Sequence, residues 1–311
     1  MKPAMSRLTF VTALLFLTTP AAVVLGLLTA TPAEATPFFF STGDPDGKMA
    51  TASRPSSAGK IEIESADDFV LTNRTGLNSA TFTGLLTGAT PIIGEVRVEI
   101  YRVFPADSNV ARTSGPPTFS TSQVPTRVNS PADVEVADRD TASGNLTFLT
   151  TILGASFTAA NSVLNGINPT PNQRTLGEGP VTGQEVQFNV IFTTPFDLPA
   201  DHYFLVPQVQ VTGGEFFWLS APRPIVAPGT PFPPGFTDLQ EWIRNENLAP
   251  DWLRVGTDIV GGTTPPTFNA TFSVTGNTIP EPGSLMLLGV GFAALLFSRR
   301  MRGTTSESDH I

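Results

Sequence analysis

No cysteine occurs in the 311 residues, which excludes disulfides, zinc–thiolate sites and iron–sulfur clusters, because each requires thiols. Histidine is almost as scarce: there are two, His202 and His310. A serine triad needs a histidine base, and His310 stands in a polar tail, which leaves His202. It opens an expected strand in Asp201-His202-Tyr203 and reads as a surface or edge histidine, so Ser-His-Asp hydrolysis is set aside. Basic residues number 18 against 27 acidic ones. Five of the basic and four of the acidic residues lie near the two ends, so the middle of the chain carries 13 against 23, a net −10. Nucleic-acid binding relies on clustered lysine and arginine, and the middle of the chain has no such cluster. Tyrosine and tryptophan are few (2 and 3) beside 23 phenylalanines. Phenylalanine lacks the polar handle that suits a wet face, so a core role is expected for most aromatics, Trp218, Trp242 and Trp252 included. In Glu215-Phe-Phe-Trp218, alternation predicts that one of Phe217 and its neighbours faces out.

What is present begins with a secretory pattern. Lys2 and Arg7 precede an apolar stretch, Leu8 to Leu28, and Ala33-Glu34-Ala35 offers small residues where signal peptidase reads the chain. Residues 1–35 are therefore expected to be a signal peptide cleaved after Ala35, with Ala33 and Ala35 as the recognised positions. At the other end, Ile279-Pro-Glu-Pro-Gly-Ser leads into thirteen apolar residues, Leu285 to Phe297, followed by Ser298-Arg-Arg-Met-Arg302. Thirteen residues make about 20 Å of helix, short of the roughly 30 Å hydrocarbon core. The flanks favour a short transmembrane helix nonetheless, since clustered arginines hold one end of an apolar span in the cytoplasm.

Pro280-Glu281-Pro282, the Gly283-Ser284 spacer, Leu287 to Leu295 and Arg299-Arg300 together resemble the PEP-CTERM sorting signal. The resemblance covers about a tenth of the chain and implies recognition by exosortase, a membrane transpeptidase-like enzyme that acts near Pro-Glu-Pro and releases or transfers its substrate. It makes Pro280, Glu281 and Pro282 a substrate motif that performs no chemistry, and Arg299, Arg300 and Arg302 the retention group at the membrane. The polar extension 303–311 departs from such tails, which usually stop soon after the arginines. The implied location is the cell envelope or extracellular space, reached after transient inner-membrane anchoring, with exosortase and signal peptidase as partners.

Between these segments, residues 36–278 alternate with a period of two. Val186, Phe188, Val190 and Phe192 form one face of a segment; Phe268, Ala270, Phe272 and Val274 another; Val96, Val98 and Ile100 a third. Successive strand side chains point to opposite faces, so each segment has one buried side. Further strands are expected at 61–64, 68–71, 79–86, 146–158, 203–211 and 215–220. Without strand–helix repeats, this predicts an all-β sandwich of jelly-roll or immunoglobulin-like type. One short capping helix is expected from Thr237, where Thr237-Asp-Leu-Gln240 has capping-box spacing; Leu239, Trp242 and Ile243 share a face and Pro250 stops it. The proline-rich stretches 105–140 and 221–235 are expected to be extended loops across the sheets, anchored by Phe119, Val124, Val128 and Phe232. Ala66-Asp-Asp-Phe69, Leu198 to Tyr203 and Phe268 to Gly276 also resemble the sandwich domains of other PEP-CTERM proteins, a likeness that implies fold and no activity.

Candidate chemistry is sparse. Asp67 and Asp68 are adjacent and would point to opposite faces of a strand. Gly43-Asp-Pro-Asp-Gly47 places Asp44 and Asp46 at i and i+2, a partial echo of a calcium loop, but Lys48 holds the third position and the dipeptides fit an ordinary turn. No cofactor is expected, and calcium at Asp44 and Asp46, with Asp67 or Asp68, is the alternative. The function expected is a non-enzymatic surface or matrix protein associated with extracellular polysaccharide or biofilm. The alternative is a secreted carbohydrate-active hydrolase using two carboxylates, which a deep cleft lined by paired acids would favour.

Overall fold

The computed structural model describes residues 34–112, 124–167, 174–280, 291 and 295. Fifteen strands run through them: β1 (Pro37–Ser41), β2 (Met49–Ala52), β3 (Ile63–Leu71), β4 (Thr75–Leu86), β5 (Ile92–Arg102), β6 (Ala137–Asp140), β7 (Leu146–Ala159), β8 (Asn161–Val163), β9 (Val181–Leu198), β10 (Asp201–Thr212), β11 (Phe216–Ala221), β12 (Trp242–Asn245), β13 (Leu253–Arg254), β14 (Asn269–Ala270) and β15 (Phe272–Thr278). The first sheet is organised around β4. On one flank β4 pairs with β15 and, at its end, with β11; on the other it pairs with β9, which carries β7. β1 lies outside β15, and β2 then β8 lie outside β11. The second sheet has the order β13-β12-β3-β10-β5-β6. Every pairing is antiparallel except β2 with β8.

The two sheets pack face to face, and alternation decides which side of each strand they share. Val186, Phe188, Val190 and Phe192 of β9 are buried, as are Val96, Val98 and Ile100 of β5, while Ile191 on the opposite face of β9 is 59% exposed. Phe82 and Phe188 stack at 4.9 Å, and Phe216 meets both edge-on. Phe69 of the second sheet reaches Phe272 of the first at 6.3 Å. Such ring pairs add about 0.5–1.5 kcal/mol beyond the area they bury. All three tryptophans are buried, and the Trp218 indole N–H donates to the Thr271 carbonyl at 2.7 Å, so its burial leaves no donor unpaired.

Three expectations are corrected. The stretch after Thr237 is not a helix. Trp242–Asn245 is a strand antiparallel to β3, with Trp242 opposite Ala66 and Arg244 opposite Glu64. Its two faces enter different apolar clusters, Trp242 beside Ala66 and Trp252, Ile243 beside Ile63 and Leu253. The Leu239 amide donates to the Asp68 carboxylate and the Glu241 amide to the Phe268 carbonyl, so backbone donors that a helix would turn inward are used across the sandwich. Second, Phe216, Phe217 and Trp218 are all buried, because a satellite core of Ile243, Leu253, Val255 and Ile259 covers the other face of β11. Third, the 105–140 stretch is anchored differently from expectation. Val124 is buried but Val128 is 41% exposed, next to Asn129 at φ 63° in a turn closed by the Ser130 amide on the Arg127 carbonyl. Arg127 is the anchor beside it, stacked 4.3 Å over the Phe104 ring and paired with Asp133. Residues 137–140 of that stretch are strand β6. Phe119 lies outside the described residues, and Phe232 packs edge-on against Phe40 at 5.4 Å.

Candidate functional site

The strongest sequence signal meets the fold where β1 and β15 end together. These strands pair from Pro37 opposite Asn277 to Ser41 opposite Ser273. Beyond the ladder, the Thr36 amide donates to the Thr278 hydroxyl at 2.8 Å and the Thr278 amide to the Thr36 carbonyl at 2.9 Å. The Ile279 amide donates to the Arg74 carbonyl at 2.7 Å. Residues Thr36–Ile279 form one compact unit, and its first and last residues are thus held in one sheet edge. Ala35, exposed, stands one residue before this clamp, and Pro280 one residue after Ile279. Ala33, Glu281, Pro282, Arg299, Arg300 and Arg302 lie outside the described residues, as do the signal core and the apolar span. Among the described residues no helix is long and apolar enough to cross a membrane.

Several carboxylates are buried in the interior. Asp67 and Asp68 are both 1% exposed and point to opposite faces of β3, as expected. Asp68 meets His202 Nε2 at 2.5 Å and accepts from the Leu239 amide. Burial raises its pKa to about 6, against the lowering effect of the His202 bond. His202 is part-buried and does not lie on an edge strand. Its side chain is 15% exposed, in an inner strand, flanked by Phe232 and Phe236. Asp67 accepts from the Ala270 amide at 2.8 Å through one oxygen; among the described residues nothing hydrogen-bonds the other. Burial, then the like charges of Asp68, Asp238 and Glu241, raise its pKa well above the carboxylate range. Glu241, 1% exposed, accepts from the Thr51 hydroxyl at 2.5 Å and is pushed by burial to about 8. Protonation of Asp67 and Glu241 avoids the cost of unpaired buried charge. Adjacent aspartates in a strand were visible in the sequence; Glu241 was not, because its burial depends on partners nearly two hundred residues away.

These groups give a pH dependence whose sign is fixed. A carboxyl that titrates higher in the fold than in the unfolded chain binds more protons folded, so stability falls as pH rises between the two values. For Glu241 the window runs from 4.5 to about 8, and at about 1.4 kcal/mol per unit the effect is at most about 5 kcal/mol. Urea midpoints should therefore decline from pH 5 to pH 8, and Glu241→Gln should flatten the decline. A midpoint constant or rising over that range would contradict this.

The calcium positions serve a turn. Gly43 and Gly47 adopt φ of 97° and 73°, and the loop they bracket leaves Asp44 exposed. Asp46 accepts from the Lys48 amide and the Ser220 hydroxyl through one oxygen and pairs with Lys48 Nζ through the other at 2.9 Å. Among the described residues no three His, Asp or Glu side chains are arranged to hold a metal.

A further polar cluster lies on the outer face of the second sheet, and sequence reasoning did not find it. Arg244 forms a two-pronged pair with Glu64, Tyr101 donates to Glu64 at 2.7 Å, and the guanidinium lies 4.3 Å over Trp252. Glu99 beside them is raised to about 9 by burial and by Glu64 and Glu62.

Comparison with known proteins adds one finding. Residues 278–300 match the PEP-CTERM protein-sorting motif, beginning at Thr278, the last residue of β15. No curated protein and no solved structure matches the chain. The chain carries the sorting motif of an exported, exosortase-processed protein.

Proposed function

We propose that this chain is a non-enzymatic surface or extracellular-matrix protein, freed from its signal peptide after Ala35 and cut by exosortase near Pro280-Glu281-Pro282. Residues 285–297 hold it transiently in the inner membrane, and the processed domain associates with extracellular polysaccharide. The observation that carries this reading is the clamp of Thr36 on Thr278. The folded body ends where the sorting motif begins, so an enzyme can act on the motif without unfolding the sandwich. Both processing events leave the β1–β15 ladder whole.

The position of the acids supports a binding role over hydrolysis. Asp67, Asp68 and Glu241 are each 1% exposed. A cavity of about 390 Å³ is lined by Arg54, asparagines and aliphatic residues, and another of about 340 Å³ by small and polar residues; neither lining includes a carboxylate. Glycosidases place two carboxyl groups about 5–10 Å apart on a substrate cleft. Protein purified after export is expected to be retained by polysaccharide from its own host and to release no sugar from a panel of glycoside substrates. Turnover that disappears in Asp68→Asn or Glu241→Gln would replace this reading with the hydrolase.

A further inference from the structure

The margins of the two sheets are unequal. β6, which ends the second sheet, has four residues, three of them charged (Asp138, Arg139, Asp140). β8 and β13 have three and two residues, and β1 opens with a proline. Short, charged or proline-bearing edges resist pairing with another chain. β7 differs from all of them. It has 14 residues, LTFLTTILGASFTA, with no charge and no proline. Among the described residues β9 is its single strand partner, so one row of backbone donors and acceptors faces away from the sheet.

The exposed side chains along this edge are uncharged: Leu149 is 76% exposed, Ile152 60% and Leu153 49%, with exposed threonines at 147, 150 and 151 between and beside them. The register with β9 shifts after Ile152 and again after Gly154, which leaves Leu146 to Ile152 as the regular segment, about 24 Å long. Its sequence, Leu-Thr-Phe-Leu-Thr-Thr-Ile, is nearly palindromic about Leu149. Antiparallel pairing of two such segments sets Leu149 against Leu149, Thr147 against Thr151, and Leu146 against Ile152. A two-fold interface needs this kind of self-match. Elsewhere the net charge of −9 makes two copies repel; along this segment there is no charge to do so.

We propose that the free edge of β7 pairs antiparallel with β7 of a second copy of this chain, about a two-fold axis at Leu149. The ladder is short against the roughly 800 Å² per partner of a standard interface, so the association is weak in dilute solution and favoured where the protein is concentrated. The absence of native cysteine makes a direct test available. Opposed residues across an antiparallel ladder have Cα atoms about 4.5–5.5 Å apart, within disulfide reach. Mildly oxidised Leu149→Cys, in protein purified after export, is expected to give a covalent dimer. Phe39→Cys, 54% exposed at the β1 edge, should remain monomeric. By sedimentation equilibrium, Leu149→Lys should weaken dimerisation by about tenfold or more, since like charges directly opposed in a ladder repel, while Phe39→Lys leaves it unchanged. Circular dichroism matching the unmodified protein establishes that each variant is folded. A protein monomeric at high micromolar concentration, a Leu149→Lys variant that associates as before, or equal cross-linking of the two cysteine variants would overturn the proposal.

Discussion

Arg244→Met is expected to destabilise the fold by about 3–5 kcal/mol, the cost of leaving one partner of a buried ion pair alone. For a chain of this size that lowers the Tm by roughly 6–20 °C. Arg244 is 6% exposed and Glu64 3%. Glu64 takes both prongs of the guanidinium and the Tyr101 hydroxyl, with Glu62 and Glu99 close enough to repel it. Without Arg244 the carboxylate loses its cation and keeps Glu62 beside it. Met conserves most of the volume against Trp252, so the loss reports charge rather than a cavity. Adding Glu64→Met removes the stranded charge and should restore most of the stability, because an apolar pair of similar volume is often as stable as a buried ion pair. Urea unfolding of the two variants checks this. A double variant no more stable than Arg244→Met would show that the loss comes from packing.

Replacing Glu281 by Gln together with Pro282 by Ala is expected to leave export intact and to block the later cut. Each proline lacks an amide donor and restricts the residue before it, so the motif disfavours helix ahead of the apolar segment. On the domain side, Thr278 and Ile279 are pinned by Thr36 and Arg74, so the strand does not slide to change which residues emerge. The motif thus begins directly after a fixed strand. The double substitution removes the recognised acid and one of the two breakers while leaving the signal peptide and the arginines alone. Chain lacking only its signal peptide should accumulate in the membrane fraction. Normal processing of this variant would show that exosortase does not read these residues.

The parts of the fold that could be read from the sequence are those where one face of a strand meets the core and the other meets water. β9 is of that kind, and its alternation carried over; on β5 Val96, Val98 and Ile100 reach the core as expected, but Glu99 on the opposite face is buried as well. Where both faces are buried, alternation disappears. β11 lost its expected exposed residue that way, and β12 was mistaken for a helix because Leu239, Trp242 and Ile243 satisfy helical spacing while packing into different clusters. The sorting motif was legible because it acts as a linear segment. The clamp of Thr36 on Thr278 spans 242 positions and the Glu64–Arg244 pair spans 180. Neither leaves a local pattern, since both are products of topology.

The central claim, that the C-terminal segment is a sorting signal removed at the membrane, is tested most directly by intact-mass and terminal-peptide mass spectrometry of the protein recovered from the surface and medium of its native host. The mass expected is that of a chain beginning at Thr36 and ending near Pro280-Glu281-Pro282. Surface protein that retains residues 285–302 would mean that the apolar segment is a permanent anchor.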